Sequence, residues 1–426
     1  MKTENAVIFA LAACAAALAG CRSYEPAAAP DWEEGARLRT PRVTFASPKD
    51  AARLALAGNP ELNAMRLRCA GAANVAKETG WWEDPELDFD LLRIVEPSTH
   101  PFLGGAGMKF TIPLSGSNRT AAKAAEAYHF AQAEKIRAAE KTIAAEAEKA
   151  ALAIHYNRKK AKTVEAHEKD AGVKRATRSA ERLHAAGECT LADLNSVKRA
   201  EHARRHLRMK LDEERQELEN SLRSLAGLHP GTRIETAFSV APPANGRVAA
   251  PDILSLTAHP AVKAALAELE RSEAELETEI RRQYPDLKIG PLAGSEEGKG
   301  RIGVVAGVTL PLWNRNRKAI AEAEAARGEA RLDALNTWRN LALEAGAAHA
   351  KIANLLKHRP APPGETKCIE RLLDAGEMTP VEYLSTREEI LTLALEEISW
   401  EAAVAQARAD AARFTVETIS NERTSK

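Results

Sequence analysis

Aromatic residues and an excess of either charge are both scarce in this chain. Only 4% of its 426 residues are Phe, Trp or Tyr. This argues against a thick globular core and, together with abundant alanine, favours long helices. Its 60 Lys and Arg residues equal its 60 Asp and Glu residues, and no run of Lys or Arg stands out. A nucleic-acid-binding protein neutralises phosphates with excess positive charge, so the balance argues against that class.

Cysteine is equally sparse, with five residues in the chain. Four of them follow the first 20 residues: Cys21, Cys69, Cys189 and Cys368. Their wide spacing matches no short metal-binding motif, and without Cys21 an odd number remains. The sequence therefore predicts neither a disulfide framework nor a zinc site, and it assigns no role to the last three cysteines.

The sequence also lacks the common signatures of catalysis. There is no phosphate-binding glycine loop, no His-Glu-x-x-His pair and no nucleophile elbow. His202 and His206 lie four residues apart and could share a metal ion, but no third ligand is in view. A solvated basic helix face is the simpler interpretation. We therefore expect neither an enzyme nor a bound cofactor or metal.

The N-terminus carries the pattern of an export signal. Lys2 precedes an apolar run, Ala6–Gly20, which is too short to cross a bilayer as a helix and ends in small residues. Leu18-Ala19-Gly20-Cys21 resembles the lipobox of a bacterial lipoprotein. We expect removal of residues 1–20, lipid on Cys21 and sorting to the outer membrane. The alternative is an ordinary signal peptide that leaves Cys21 as a free thiol.

The most informative pattern is an internal repeat of nearly 200 residues. Four short segments recur in the same order, at offsets of 189 to 200 residues: 59–62 with 259–262, 85–87 with 285–287, 112–114 with 310–312, and 181–190 with 370–379. A unit of this length is too long for a solenoid repeat. We interpret the chain as two copies of one ancestral unit.

Each copy contains two short segments in which apolar residues alternate with polar or small ones. They cover about 86–95 and 105–113 in the first copy, and about 286–293 and 301–310 in the second. We expect Gly104 to Gly107 to form a flexible lead into the second strand. Such strands suit a transmembrane β-barrel, because lipid offers no partner to an unpaired backbone group. Barrels of this type begin at about eight strands, so several chains must contribute.

Long helices are expected between the strand pairs. No proline occurs between Pro113 and Pro230, and this stretch is rich in Ala, Glu, Lys, Arg and Leu. Asn118 to Ala186 would span roughly 100 Å as one helix, far longer than a globular domain requires. The protein is therefore expected to be elongated, with helices that extend well beyond the size of one globular domain.

The best-matched repeat segments predict two helix reversals. In each copy a glycine can take the left-handed conformation, a threonine can cap the returning helix, and an acidic residue can complete a capping box. These residues are Gly187, Thr190 and Asp193 in the first copy, and Gly376, Thr379 and Glu382 in the second. We expect the helical hairpins to turn at about 187 and 376.

The alternating strand pairs, the Leu-Pro-Leu type ends, the Ala-rich helices and the two Gly-x-x-Thr turns together resemble the TolC-like outer-membrane efflux proteins. The resemblance covers about Asp50 to Thr415. It implies an α+β membrane protein whose protomer is a duplicated unit of helix, β-hairpin and long helical hairpin. Three protomers would form a twelve-stranded β-barrel and a periplasmic α-helical tunnel. Passive export of small molecules or metal ions follows from this resemblance.

The same resemblance implies partners and roles for the turn residues. The partners would be two further copies of the chain, a periplasmic membrane-fusion adaptor, an inner-membrane pump and outer-membrane lipid, with no nucleic acid. Gly187, Thr190, Gly376 and Thr379 would form the periplasmic tip that contacts the adaptor. Asp193 and Glu382 are candidates for an acidic constriction. Helix capping alone explains the same residues, so both interpretations stay open.

The sequence predicts six segments and leaves several functions to consider. The segments are the signal 1–20, a lipid-anchored linker 21–47, a first repeat 48–228, an equatorial linker 229–250, a second repeat 251–415 and a tail 416–426. A type I secretion exit duct would share this architecture, and nothing in the composition separates it from an efflux channel. An adaptor lipoprotein or a structural periplasmic coiled coil would leave the duplicated strand pairs unexplained.

Overall fold

The computed structural model describes residues 24–29, 42–93, 95, 102–243, 252–296, 299–308, 310 and 313–415. The predicted signal, Cys21 and the tail 416–426 lie outside the described residues. The described chain is mostly helical, with two small sheets. Within those ranges, no helix has a stretch long and apolar enough to cross a membrane.

The first copy contributes long helices on either side of a strand pair. Its elements are β1 (Arg42–Phe45), α1 (Pro48–Gly58), α2 (Pro60–Glu78), β2 (Glu86–Arg93), β3 (Phe102–Ile112), α3 (Ser117–Lys169), α4 (Ala171–Ala185) and α5 (Leu191–Leu225). The segment before the second copy forms β4 (Arg233–Thr236).

The second copy repeats this order, with shorter helices after its strands. A 3-10 turn, Ser255–Ala258, precedes α6 (Pro260–Arg281), β5 (Leu287–Glu296), β6 (Lys299–Val308), α7 (Arg317–Lys357), α8 (Thr366–Asp374), α9 (Pro380–Ala411) and a closing 3-10 turn, Ala412–Phe414. The strand ends lie within a few residues of the predicted segments.

The repeated Asn-Pro and His-Pro pairs start equivalent helices. Pro60 opens α2 and Pro260 opens α6, where proline's missing N–H costs nothing. The side chain of Asn59 accepts a hydrogen bond from the Leu62 amide at 2.8 Å. His259 caps α6 through its ring nitrogen Nδ1, which accepts a hydrogen bond from the Ala261 amide at 3.2 Å. Each copy therefore begins its strand-leading helix with a capping side chain followed by proline.

Four strands form one antiparallel sheet in the order β2-β3-β5-β6. The two hairpins come from the two copies and join through β3 and β5, where Phe110 pairs with Ile289. The outer edges, β2 and β6, have no strand partner among the described residues. Our expectation of a flexible glycine lead is wrong, because Gly104 and Gly105 pair with Leu91 and Asp90 inside β3.

The register gives this sheet two chemically different faces. Side chains alternate along each strand and direct cross-strand partners share a face. Apolar side chains dominate one face: Leu87, Phe89, Leu91, Met108, Phe110, Ile289, Ile302, Val304 and Val308. The other face combines glycines with paired charges, including Asp88 with Lys109 at 2.6 Å and Glu86 with Lys288 at 2.9 Å.

The helices next to the sheet follow the order of its strands. α3 packs between α2 and α6, and α6 packs between α3 and α7. Each of these helices connects directly to one strand, so sheet and helices form one continuous layer, α2-α3-α6-α7 beside β2-β3-β5-β6. Thr120 and Thr278 join α3 to α6 by a buried hydrogen bond of 2.7 Å. The layer has α2 and α7 as its free edges.

Two features of the middle of the molecule differ from the sequence prediction. The expected single helix from Asn118 to Ala186 breaks at Asp170, whose side chain accepts from the Val173 amide at 3.0 Å and restarts the chain as α4. β1 and β4 pair in parallel, which the sequence did not indicate. Phe45 and Ile234 of this pair pack into the largest buried apolar cluster, with residues of α1, α3 and α5.

Candidate functional site at the hairpin ends

Both hairpins reverse at the predicted glycines. Gly187 has φ 79° and Gly376 has φ 75°, the left-handed region that costs other residues roughly 1–2 kcal/mol. The Glu188 amide donates to the Leu183 carbonyl at 2.8 Å, and the Glu377 amide donates to the Leu372 carbonyl at 2.9 Å. These bonds satisfy carbonyls at the end of the outgoing helix.

Both returning helices begin with a complete capping box. The Thr190 hydroxyl accepts from the Asp193 amide at 3.1 Å, and the Asp193 carboxylate accepts from the Thr190 amide at 3.3 Å. The second turn repeats this, with 3.2 Å from the Glu382 amide to the Thr379 hydroxyl and 3.0 Å for the return bond. Each acidic residue is therefore hydrogen-bonded to the threonine that caps its own helix.

The electrostatics of the second turn favour a charged Glu382. Hydrogen bonds from the Thr379 amide and then from its hydroxyl lower the pKa of Glu382 below its usual value. The side chain is exposed. Glu382 therefore presents a permanent negative charge at the hairpin end, while its carboxylate also caps α9.

The two hairpins pack side by side. Val173 and Ala176 of α4 share a buried apolar cluster with Tyr383 and Leu384 of α9. Arg175 of α4 also reaches an Asp374 carboxylate oxygen at 3.5 Å. The two turns of one chain therefore belong to one helical assembly.

A buried polar network above the turns joins three helices, and sequence reasoning missed it. His167 Nε2 lies 3.1 Å from a Glu388 carboxylate oxygen, and the Arg204 guanidinium contacts the same carboxylate. Arg387 donates to Asp170 at 3.1 Å, at the break between α3 and α4. The one local signal was the Asp-Ala-Gly sequence at residue 170, which is typical of a helix start. The partners come from distant parts of the chain.

This network makes stability depend on pH. Burial, then the Arg204 and Arg387 guanidinium groups, lower the pKa of His167 to about 4, against about 6.5 in an unfolded chain. The unfolded state binds more protons between those values, so His167 stabilises the fold fully above about pH 6.5 and less as the pH falls towards 4. The charged groups around the ring are Arg204, Arg387, Asp170, Glu168 and Glu388.

We expect His167→Gln to flatten this pH dependence. The thermal midpoint of the detergent-solubilised protein should fall less between pH 7 and pH 5 in the variant than in the wild type. His202→Gln, on an exposed part of α5, is the matched control and should follow the wild type. Equal pH slopes for all three proteins would contradict the assignment of this dependence to His167.

The described residues hold no cluster of three or more His, Cys, Asp or Glu side chains arranged for a metal. His202 and His206 are both exposed on α5.

Comparison with known proteins matches part of the chain to a family and its fold to solved structures. The family model described as outer membrane efflux protein matches residues 51–228. A search of curated proteins finds no match. Among solved structures, a membrane protein from Pseudomonas aeruginosa superimposes with a TM-score of 0.71 at 17% identity, covering 93% of this chain and 99% of that one.

Two further structures share the same fold along most of their length. The CmeC outer membrane channel of Campylobacter jejuni has a TM-score of 0.70 at 15% identity, covering 92% of this chain and 93% of that one. The outer membrane protein VceC of Vibrio cholerae has a TM-score of 0.66 at 18% identity, covering 85% and 94%. The first copy therefore matches the outer membrane efflux protein family, and both copies share the fold of these outer-membrane channel structures.

Proposed function

We propose that this protein is the outer-membrane channel subunit of a tripartite efflux system, a passive duct for small molecules or metal ions. The observation that carries the proposal is the four-stranded sheet with one apolar face and two open edges, continued by long helices. An apolar face suits lipid, and the opposite face of glycines and paired charges suits an aqueous lumen. The family is one of channels, not of enzymes.

The open edges support ring closure by further copies of the chain. Unpaired strand edges are costly in lipid, and four strands are too few for a barrel. Pairing β6 of one copy with β2 of the next would leave no edge, and three copies would give twelve strands. The helical edges continue the same junction, because α2 adjoins β2 and α7 adjoins β6. We propose a trimer closed in this way.

Exposed apolar side chains on both helical edges fit such a junction. Leu67 on α2 is 75% exposed, and Leu332 on α7 is 61% exposed. They lie roughly 17 Å and 23 Å from the sheet ends of their helices, at 1.5 Å per residue. The two residues would therefore meet at similar heights in adjacent copies.

Cysteine cross-linking tests this junction. We expect Leu67→Cys/Leu332→Cys, with Cys69, Cys189 and Cys368 changed to Ser, to give covalent dimers and trimers in membranes treated with a short bismaleimide. Leu67→Cys/Phe130→Cys is the control, since Phe130 lies on α3 inside the layer. Covalent dimers and trimers from the control alone, or from neither variant, would contradict ring closure through α2 and α7.

The hairpin ends are proposed as the periplasmic tip. Gly187, Thr190, Gly376 and Thr379 would shape the surface that meets a membrane-fusion adaptor, which would connect the duct to an inner-membrane pump. Asp193 and Glu382 would line a constriction selective for cations. The exposed and ionised state of Glu382 supports this second role.

We further propose that Cys21 carries lipid in the outer membrane. The Cys21→Ser protein should no longer incorporate labelled palmitate, yet should remain a heat-sensitive trimer in the outer-membrane fraction, because the barrel holds it there. A Cys21→Ser trimer found entirely outside the membrane would mean that the strands do not form a membrane barrel. Leu18→Ile is the control substitution within the signal.

A further inference from the structure

The two hairpin ends carry opposite charge, although the whole chain is neutral. Matched stretches of 40 residues around the turns are 171–210 and 360–399, at the repeat offset of 189 residues. The first contains ten Lys and Arg against four Asp and Glu, a net charge of +6. The second contains three against nine, a net charge of −6. Overall charge balance therefore hides a basic end and an acidic end.

Most of the basic charge lies free on the surface. Lys174, Arg178 and Arg182 form a stripe along α4, and Lys198 and Arg199 add positive charge on α5; all five are exposed. Within the described part of the chain, none of the five forms an ion pair with a carboxylate. The opposite face of α4 is buried through Val173, Ala176 and Ala180. The stripe therefore lies on the side of α4 opposite its buried contacts with α9.

The stripe borders a groove that is open to a partner. A cavity of about 480 Å³ lies between α4 and α5, lined by Lys174, Arg178, Arg205 and Arg208 among others. Arg205 and Arg208 have partners in Glu201 at 2.6 Å and Glu168 at 3.3 Å. At 1.5 Å per residue, Lys174 lies ~20 Å from the turn at Gly187. A partner that docks at the hairpin end could therefore contact the whole stripe.

The acidic end is similarly unneutralised. Glu365, Glu377, Glu389 and Glu396 are exposed on or beside α8 and α9, and none has a cationic partner in the described residues. Opposite fields of this size steer charged partners to different places and repel the wrong ones. Two ends with the same backbone therefore present different surfaces.

We infer that the basic groove of α4 and α5 is the seat of an acidic helical segment of the periplasmic partner, so the two hairpin ends are not interchangeable docking sites. This inference rests on the proposed function, which supplies the partner. A neighbouring copy fits the stripe less well, because α4 lies between α5 and α9 and is not an edge of the protomer. The positive charge on α4 is therefore left to a partner other than a neighbouring copy.

Two synthetic helical peptides of equal length, one rich in Glu and one rich in Lys, test the inference. Fluorescence anisotropy would measure their binding to the full-length protein in detergent at low and at physiological ionic strength. We expect the Glu peptide to bind the wild type and to bind Lys174→Glu/Arg178→Glu/Arg182→Glu roughly tenfold more weakly or worse. Glu377→Gln/Glu389→Gln, at the acidic end, is the control and should leave this binding unchanged.

A second charge-reversal variant, Lys198→Glu/Arg199→Glu on α5, controls for a folding defect in the first. It should also weaken binding of the Glu peptide. Glu-peptide binding that neither reversal changes, or that the acidic-end control lowers as much as the reversals do, would overturn the inference. The inference would also be overturned if the wild type did not bind the Glu peptide and a charge-reversal variant lost the trimer. The basic side chains would then contact a neighbouring copy of the chain. Conductance of the same wild-type sample separates these failures from failure of the channel itself.

Discussion

Phe89→Arg/Leu91→Arg in β2 is expected to abolish insertion into the outer membrane. Both side chains lie on the apolar face of the sheet and are 68% and 77% exposed in the single chain. An arginine facing lipid costs about 2–4 kcal/mol at the middle of the bilayer, and a trimer would carry each change three times. Neither side chain belongs to a buried apolar cluster of the described residues, so the helices should keep their content by circular dichroism.

The experiment requires the Cys21→Ser background, so that a lipid anchor cannot hold an uninserted chain at the membrane. Asp88→Asn/Asp90→Asn is the matched control, because these residues alternate with Phe89 and Leu91 on the opposite face. The exposed pair between Asp88 and Lys109 contributes at most about 1 kcal/mol, so the control should insert. If the arginine variant formed outer-membrane trimers at wild-type levels, the apolar face of the sheet would not be the surface that contacts lipid.

The second large effect concerns ion selectivity at the hairpin end. Glu382→Gln should shift the reversal potential in a salt gradient towards that of an unselective pore, because three negative charges leave the proposed constriction. Glutamine is a common alternative in the capping box, so the fold of α9 should be kept. The bonds at stake join Glu382 to Thr379, at 3.0 Å from the amide and 2.8 Å from the hydroxyl.

Two controls separate charge from capping. Glu389→Gln removes an exposed carboxylate from the same helix, two turns further from the hairpin end, and should leave selectivity unchanged. Thr379→Ala removes the cap at a cost of about 1 kcal/mol but keeps the charge, so it should lower stability and retain cation selectivity. If the Glu382→Gln channel kept wild-type cation selectivity, the role of Glu382 would be helix capping alone.

Local sequence patterns were sufficient for the elements that carry the proposed function. Alternation of Ile302, Val304 and Val308 with small or polar residues predicts β6, because period two is a property of one strand. Gly376 and Thr379 predict a turn, because the left-handed conformation and the cap each depend on one residue and its near neighbours. Repetition in the two copies strengthened both predictions.

Features that depend on distant residues could not be predicted in this way. The parallel pairing of β1 with β4 joins segments nearly 200 residues apart, and four-residue strands carry little periodicity. The network of His167, Arg204 and Glu388 likewise depends on how α3, α5 and α9 pack. The glycine-rich start of β3 was misjudged because glycine weakens a strand locally, whereas pairing with β2 on one side and β5 on the other holds it extended.

Conductance of the purified, detergent-solubilised protein in a planar lipid bilayer tests the proposed channel most directly. We expect discrete, long-lived openings that select cations, from a sample that migrates as a heat-sensitive trimer. A protein that stays water-soluble, never inserts and never conducts would contradict the channel and favour a structural periplasmic coiled coil.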